Sequence, residues 1–158
     1  WPKMAAHHEA YLTRHITLIR DGARPVPEMM GIVAMLTDQD IADLSAYFSA
    51  QTMSPGVADE ALVELGEQLY LGGNPSEGVP ACAACHGPAG EGNPLTGYPW
   101  VGGQHATYTA SMLTKYRDGQ QWGEDDGNSQ IMTVVAEGLS DEEIVAVASY
   151  IQGLYRDE

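Results

Sequence analysis

The 158-residue sequence has little positive charge and little cysteine. It holds 7 lysine and arginine residues against 22 aspartate and glutamate residues, a formal net charge of −15 at pH 7, and only two cysteines. So acidic a chain offers no basic surface for phosphate backbones or anionic lipid, which argues against nucleic-acid and peripheral membrane binding and favours cationic partners. It also lacks an apolar run of about 18 residues that could span a bilayer, and a basic then apolar start. We therefore expect a mature soluble segment without a disulfide scaffold.

Both cysteines lie in one pentapeptide, Cys82-Ala83-Ala84-Cys85-His86. A Cys-x-x-Cys-His segment is the covalent attachment site of a c-type haem, in which the thiols add to the porphyrin vinyl groups and the histidine becomes the proximal iron ligand. A structural zinc site would have to recruit distant histidines, and a redox disulfide expects a βαβ context that the helical, glycine-rich flanks do not offer. The sequence therefore predicts one covalent haem c on Cys82 and Cys85, with His86 on the iron.

The flanking segments predict an all-α haem domain over residues 58–158. Apolar residues recur at helical spacing from Ala61 to Tyr70, and Gly66 in mid-helix suggests that another helix crosses closely there, although a tolerated glycine is the alternative. Ser140 and Glu143 form a capping-box pattern ahead of an apolar stripe, which predicts a last helix. We expect this last helix to pack on the helix that precedes Cys82.

The second iron ligand should come from the C-terminal half of the chain. Met132 follows a polar, glycine-bearing loop over residues 119–130, from which a thioether could be presented. Met112 lies in a helical stretch, where methionine is more often core packing, and His105 is the rival nitrogen ligand. We favour Met132 because of this position. The resulting histidine and methionine pair would raise the reduction potential relative to two histidines, which would suit an electron carrier.

The first third of the chain repeats the last two thirds without the attachment segment. Residues 1–22 align with 98–119 at a shift of 97, and the shift becomes 103 after a loop that differs by six residues. We predict two homologous units. Residues 1–52 would be the rear part of a first haem domain, 53–57 a linker and 58–158 a complete domain.

This alignment has consequences for the first unit. Its attachment segment would lie before Trp1, so we expect a longer protein with a first haem, Met29 as its distal ligand and Pro2 as its imidazole acceptor. Without a first helix, the apolar face of residues 38–48 would be uncovered. The alternative is a haemless docking module in which Met29 fills the core. His7 and His15 have no histidine at their repeat partners, and we predict no chemistry for them.

Pro99-Trp100-Val101-Gly102-Gly103 resembles the Pro-x-Leu-x-Gly turn of class I cytochromes c. The likeness implies that the Pro99 carbonyl accepts the proximal imidazole's other N–H and that Val101 forms a wall of the haem crevice. The wider pattern of Gly-Val-Pro-Ala-Cys-Ala-Ala-Cys-His-Gly, Gly-Gly-Gln-His-Ala and Leu-Ser-Asp-Glu-Glu-Ile, with two repeats, is similar to the cytochrome c4 family of dihaem cytochromes c.

That resemblance implies two tandem class I cytochrome c domains related by a pseudo-twofold axis, the first incomplete in this sequence. It implies a periplasmic electron carrier working between a dehydrogenase or a quinol-oxidising complex and a terminal oxidase. The alternatives are a dedicated cytochrome subunit of a larger dehydrogenase and a haem peroxidase. A peroxidase needs an open sixth position, against which Met132 argues.

The charge is shared unevenly between the two units. Residues 1–57 hold four basic and six acidic residues, a net charge of −2, whereas residues 58–158 hold three basic and sixteen acidic residues, a net charge of −13. This asymmetry predicts that the second unit docks redox partners with basic surfaces. A solvated surface suited to a saline habitat is a compatible explanation.

Overall fold

The computed structural model describes residues 1–123 and 126–156, and over these the protein is mostly helical. The α-helices within these two ranges are α1 (Glu9–Arg20), α2 (Pro27–Val33), α3 (Asp38–Ser49), α4 (Val63–Gly72), α5 (Ala83–His86), α6 (Ala106–Arg117), α7 (Gly127–Ala136) and α8 (Asp141–Gly153), and a 3₁₀ turn covers Glu60–Leu62. Within the described ranges, β-structure is limited to two isolated β-bridges. The predicted all-α class is confirmed.

None of the helices in the described ranges is long and apolar enough to cross a bilayer.

Helix α8 is the centre of the larger helical group, because it packs on both α4 and α6. Its buried residues Ile144, Val147 and Ile151 join Leu69 and Tyr70 of α4 in one apolar cluster. The expected close crossing falls at Gly66, where an added Cβ would lie 2.5 Å from the Ala146 carbonyl oxygen of α8. The last helix therefore packs where the sequence predicted, and glycine is needed at the crossing.

Helices α1, α2 and α3 form a second, smaller group. Their core contains Leu12, Ile16, Val33 and Ile41, with Met29 packed against it. The expectation that the face of residues 38–48 is uncovered is wrong for Ile41, which is buried by α1. Tyr47 on the same helix is 64% exposed.

The helix boundaries repeat as the alignment predicted. Helices α1 and α6 begin and end at residues related by the shift of 97, and α3 and α8 both begin at residues related by the shift of 103. Capping boxes precede both of the latter, formed by Thr37 with Asp40 and by Ser140 with Glu143. These equivalences support a duplicated unit, while the boundaries at residues 52 and 58 stay predictions.

Helix α7 corrects one expectation. Met132 lies within this helix and not on a loop, and Met29 likewise lies within α2. The helix starts early because the Asp126 carboxylate caps it by accepting a hydrogen bond from the Ser129 backbone N–H. Residues 124 and 125 of the predicted loop lie outside the described residues.

Candidate haem-binding site

The attachment segment forms the short helix α5, which presents His86 to the interior. The imidazole is buried, and its Nδ1 lies 3.1 Å from the Pro99 carbonyl oxygen. Because a carbonyl can only accept, Nδ1 donates and Nε2 keeps a free lone pair. Burial lowers the pKa of His86 against the opposing effect of the Pro99 hydrogen bond. The ring is therefore neutral, the form that binds iron.

A tight loop holds the Pro99 carbonyl in place. Gly92 has a φ of +70° and donates its N–H to the His86 carbonyl oxygen at 2.8 Å. A Cβ at this position would lie 2.5 Å from the Pro99 oxygen. Only glycine fits here, since both the left-handed conformation and the contact with the acceptor forbid a side chain.

His86 lines a large cavity that is bordered mostly by residues of the second unit. The cavity encloses about 1350 Å³ of space free of protein atoms, its open mouth included, and its surface is mostly apolar. Every residue predicted for the second haem borders this one cavity, namely Cys82, Cys85, His86, Pro99, Val101 and Met132. The structure thus brings together a site that spans 51 positions of sequence, from residue 82 to residue 132.

The rival ligands are placed differently. Met112 of α6 also lines the cavity, so it is a second thioether within the same space. His105 is exposed at the start of α6 and does not border the cavity. Pro2 is exposed and Met29 is half-buried against the core of the first unit, both away from this cavity.

One wall of the cavity comes from the first unit. His7, just before α1, and Tyr11 and His15 of α1 lie side by side, with ring centroids 5.1 Å apart for the first pair and 4.2 Å for the second. Burial, together with the charges of neighbouring basic groups, lowers the pKa of His7 to about 4 and that of His15 to about 3. The prediction that these histidines take no part in chemistry stays a prediction, but it did not include their place in the wall.

Behind this wall lies a buried guanidinium. Arg24 is 8% exposed and contacts neutral groups: its Nη1 lies 2.8 Å from His15 Nδ1, its Nη2 donates to the Tyr108 hydroxyl at 2.9 Å, and it stacks over Trp122. Tyr108 and Trp122 belong to the second unit. The two units therefore share one aromatic and cationic interface.

Further hydrogen bonds fix the two units to each other. The backbone N–H of Lys3 donates to the Gln104 side-chain oxygen at 2.8 Å, and the Gln104 amide donates back to the Lys3 carbonyl at 3.0 Å. His8 Nε2 lies 2.9 Å from the carbonyl oxygen of Glu91. The partners in these long-range pairs do not follow from any local pattern of the sequence.

The residues around the cavity fit a haem. A neutral imidazole with a free Nε2 and two thioethers offer iron ligands, and the apolar surface suits a porphyrin. His7 Nδ1 is buried without a hydrogen-bond partner in the described residues, and Arg14 lines the same cavity. They supply polar partners of the kind needed by the two carboxylates of a haem.

Comparison with known proteins identifies several cytochromes as similar to this chain. The cytochrome c family model matches residues 63–155. Cytochrome c4 of Pseudomonas aeruginosa is 48% identical over 155 residues, which cover 98% of this chain and 76% of that protein. The thiosulfate dehydrogenase electron acceptor of Stutzerimonas stutzeri is 32% identical, over 100% of this chain and 73% of that protein. The crystal structure of reduced recombinant cytochrome c4 from Pseudomonas stutzeri superposes with a TM-score of 0.91 at 46% identity, covering 98% of this chain and 85% of that one.

Fold, cavity and family match together define a class I cytochrome c, a helical protein that binds haem c and carries electrons. The similarity of this chain to cytochrome c4 proteins extends through both units. The chain belongs to the cytochrome c4 family. The predicted resemblance, the haem c cofactor and the assignment as an electron carrier and not an enzyme are confirmed.

Proposed function

We propose that this protein is a dihaem one-electron carrier of the periplasm, working between a dehydrogenase or a quinol-oxidising complex and a terminal oxidase. One observation carries the proposal: His86, oriented by Pro99, and Met132 border the same apolar cavity. When bound, the haem supplies the one-electron couple between ferrous and ferric iron.

Each residue of the second site has a separate task. Cys82 and Cys85 would hold the cofactor, each through a thioether bond made by adding the S–H group across a vinyl group of the haem. His86 Nε2 and the Met132 sulfur bind the iron, and Pro99 fixes the imidazole tautomer. Val101 is part of the apolar wall, which excludes water and so favours the less charged reduced site.

For a first haem we propose Met29 as the iron ligand and Pro2 as the acceptor for its imidazole. The support is positional, because Met29 lies on α2 as Met132 lies on α7, and the flanking helix pairs match in register. The relatives named as cytochrome c4 extend beyond the region matched by this chain.

Conservative methionine variants of the haem-loaded protein test the ligand assignments. Ferric haem with a thioether ligand has a weak charge-transfer band at the red edge of the visible spectrum. We expect Met132→Leu to remove the share of this band that belongs to the second haem. Met112→Leu is the matched control, since Met112 lines the same cavity, and it should keep the band.

The same comparison applies to the first unit, with Met29→Leu expected to remove the remaining share and the adjacent, exposed Met30→Leu expected to keep it. Loss of the band in Met112→Leu would overturn the assignment of Met132. An intact-protein mass that corresponds to a single haem would overturn the dihaem proposal.

Partners with basic docking surfaces suit the second unit, which carries a net charge of −13. The relative named as a thiosulfate dehydrogenase electron acceptor supports the alternative that this protein serves one particular dehydrogenase. Stopped-flow reduction by a purified thiosulfate dehydrogenase and by a quinol-oxidising complex would separate the two. Fast reduction by the dehydrogenase alone would favour the dedicated role.

A further inference from the structure

One ion pair joins the first unit to the helix that carries Met132. Arg14 of α1 places Nη2 at 2.7 Å from Oδ1 of Asp126, the residue that caps α7. Asp126 has no solvent exposure, whereas the Arg14 side chain is 36% exposed. A long side chain thus crosses from one unit to neutralise a charge that is fully buried in the other.

Asp126 organises the start of α7. Its carboxylate accepts hydrogen bonds from the Ser129 backbone N–H at 3.1 Å, from the Ser129 hydroxyl and from the Trp122 backbone N–H at 3.2 Å. Burial would raise the pKa of Asp126, but the bonds from Ser129 and Arg14 outweigh it and lower that pKa. The carboxylate is therefore ionised, and a buried ionised group depends on its counter-charge.

The repeat-equivalent position in the second unit offers no matching cation. Arg14 aligns in the repeat with Ser111, which has no charge to offer the first unit in return. Asp126, Arg14 and Met132 all border the haem cavity. Removing the guanidinium would leave the Asp126 charge buried without a counter-ion at the N-terminus of a ten-residue helix whose second turn holds Met132.

We propose that Arg14 is a positioning residue for Met132: by neutralising Asp126, it fixes the first turns of α7 and with them the methionine ligand. The proposal rests on the assignment of Met132 as an iron ligand. It makes ligation in the second unit depend on a side chain of the first.

The test is the thermal loss of the methionine charge-transfer band in the haem-loaded ferric protein, recorded beside far-UV circular dichroism. We expect Arg14→Gln to lose the Met132 share of the band at a temperature lower than wild type by about 5 °C or more, while helical content persists at that temperature. Arg14→Lys, which keeps the cation, should restore most of the shift.

Arg20→Gln is the matched control. Arg20 lies on the same helix, but its ion pairs to Asp21 and Asp38 stay within the first unit. This variant should lose the band at the wild-type temperature. If Arg14 acts through Asp126, then Arg14→Gln should add little further shift in an Asp126→Asn background.

The proposal is overturned if Arg14→Gln keeps the band to the wild-type temperature, or if band and helix content are lost together. A full additional shift in the Asp126→Asn background would also overturn it. These outcomes leave the proposed function intact, which fails separately if Met132→Leu itself keeps the whole band.

Discussion

At the scale of single residues, His15 shows how the interface sets a protonation state. The guanidinium of Arg24 only donates, so His15 Nδ1, 2.8 Å from Nη1, must accept and the proton lies on Nε2. Burial, followed by the charge of Arg24, lowers the pKa of His15 to about 3. The imidazole is neutral at neutral pH, and its protonation would place two cations side by side in the interior.

This depressed pKa predicts acid sensitivity. As the pH falls below about 6.5, His15 of the unfolded chain binds a proton that the folded chain does not, so the unfolding free energy falls with decreasing pH down to about 3. Over most of that range the slope from one such group is about 1.4 kcal/mol for each pH unit. At higher pH both states are neutral and the contribution is constant.

The variant His15→Gln retains a hydrogen-bond acceptor but has no group that titrates in this range. We therefore expect its unfolding free energy to fall less steeply with decreasing pH than that of the wild type, by up to about 1.4 kcal/mol for each pH unit. Urea unfolding of the haem-loaded protein at a series of pH values between neutrality and the acid limit measures it. Equal slopes for the variant and the wild type would show that His15 is protonated, or exposed, in the folded protein.

At the scale of elements, the crossing of α4 and α8 is a close helix–helix contact in the core of the haem domain. An added Cβ on Gly66 would approach the Ala146 carbonyl oxygen to 2.5 Å and Tyr150 Cβ to 2.6 Å. Neither atom is the end of a flexible chain, so the helices would have to separate. Overpacking of this kind costs about 1 to 3 kcal/mol, against about 1 kcal/mol gained from helix propensity.

We predict that Gly66→Ala lowers the unfolding free energy by up to about 2 kcal/mol. Gly72→Ala in the same helix is the control, since no other atom lies within 4 Å of its Cβ position, and it should be neutral or slightly stabilising. Thermal unfolding followed by circular dichroism compares the two. Equal effects of the two substitutions would mean that α8 does not approach α4 at Gly66.

The helices that could be predicted are those with local sequence signals, such as a capping box or a helical spacing of apolar residues. The capping box at Ser140 and the apolar spacing ahead of Cys82 located α8 and α4, and the repeat transferred the same pattern to the first unit. Likewise, Pro99 could be paired with His86 because the motif fixes both at short range.

Helix α7 was not predictable in the same way. Its first residues are polar and glycine-bearing, and the Asp126 carboxylate that starts the helix is neutralised by Arg14, 112 positions earlier in the chain. The interface histidines were missed for the same reason, because His15 acquires its role from Arg24 and from packing against the second unit. Long-range contacts of this kind produce no periodic pattern in the local sequence.

At the scale of the whole molecule, the charge is distributed unevenly over two helical units that the interface holds together. The first unit carries a net charge of −2 and the second −13. Exposed charges act over about 8 Å at physiological ionic strength. A small charged reagent that approaches the second unit therefore experiences a different field from one that approaches the first.

We predict that oxidation of the reduced protein by a small cationic one-electron reagent slows as ionic strength rises, and that oxidation by an anionic reagent accelerates. Stopped-flow rate constants over a salt series measure both, with a neutral reagent as the control for viscosity and stability. The wrong sign with either reagent would contradict a dominant acidic field.

Two double variants, each of which removes two acidic side chains, test which unit produces this acidic field. Glu137 and Glu142 are exposed on the second unit, and Glu9 and Asp43 are exposed on the first. Each double variant, Glu137→Gln with Glu142→Gln or Glu9→Gln with Asp43→Asn, removes two negative charges. Because steering depends on the local potential at the docking face, the second-unit pair should flatten the salt dependence more strongly. Equal flattening would mean that net charge alone sets the rate and that the second unit is no preferred docking face.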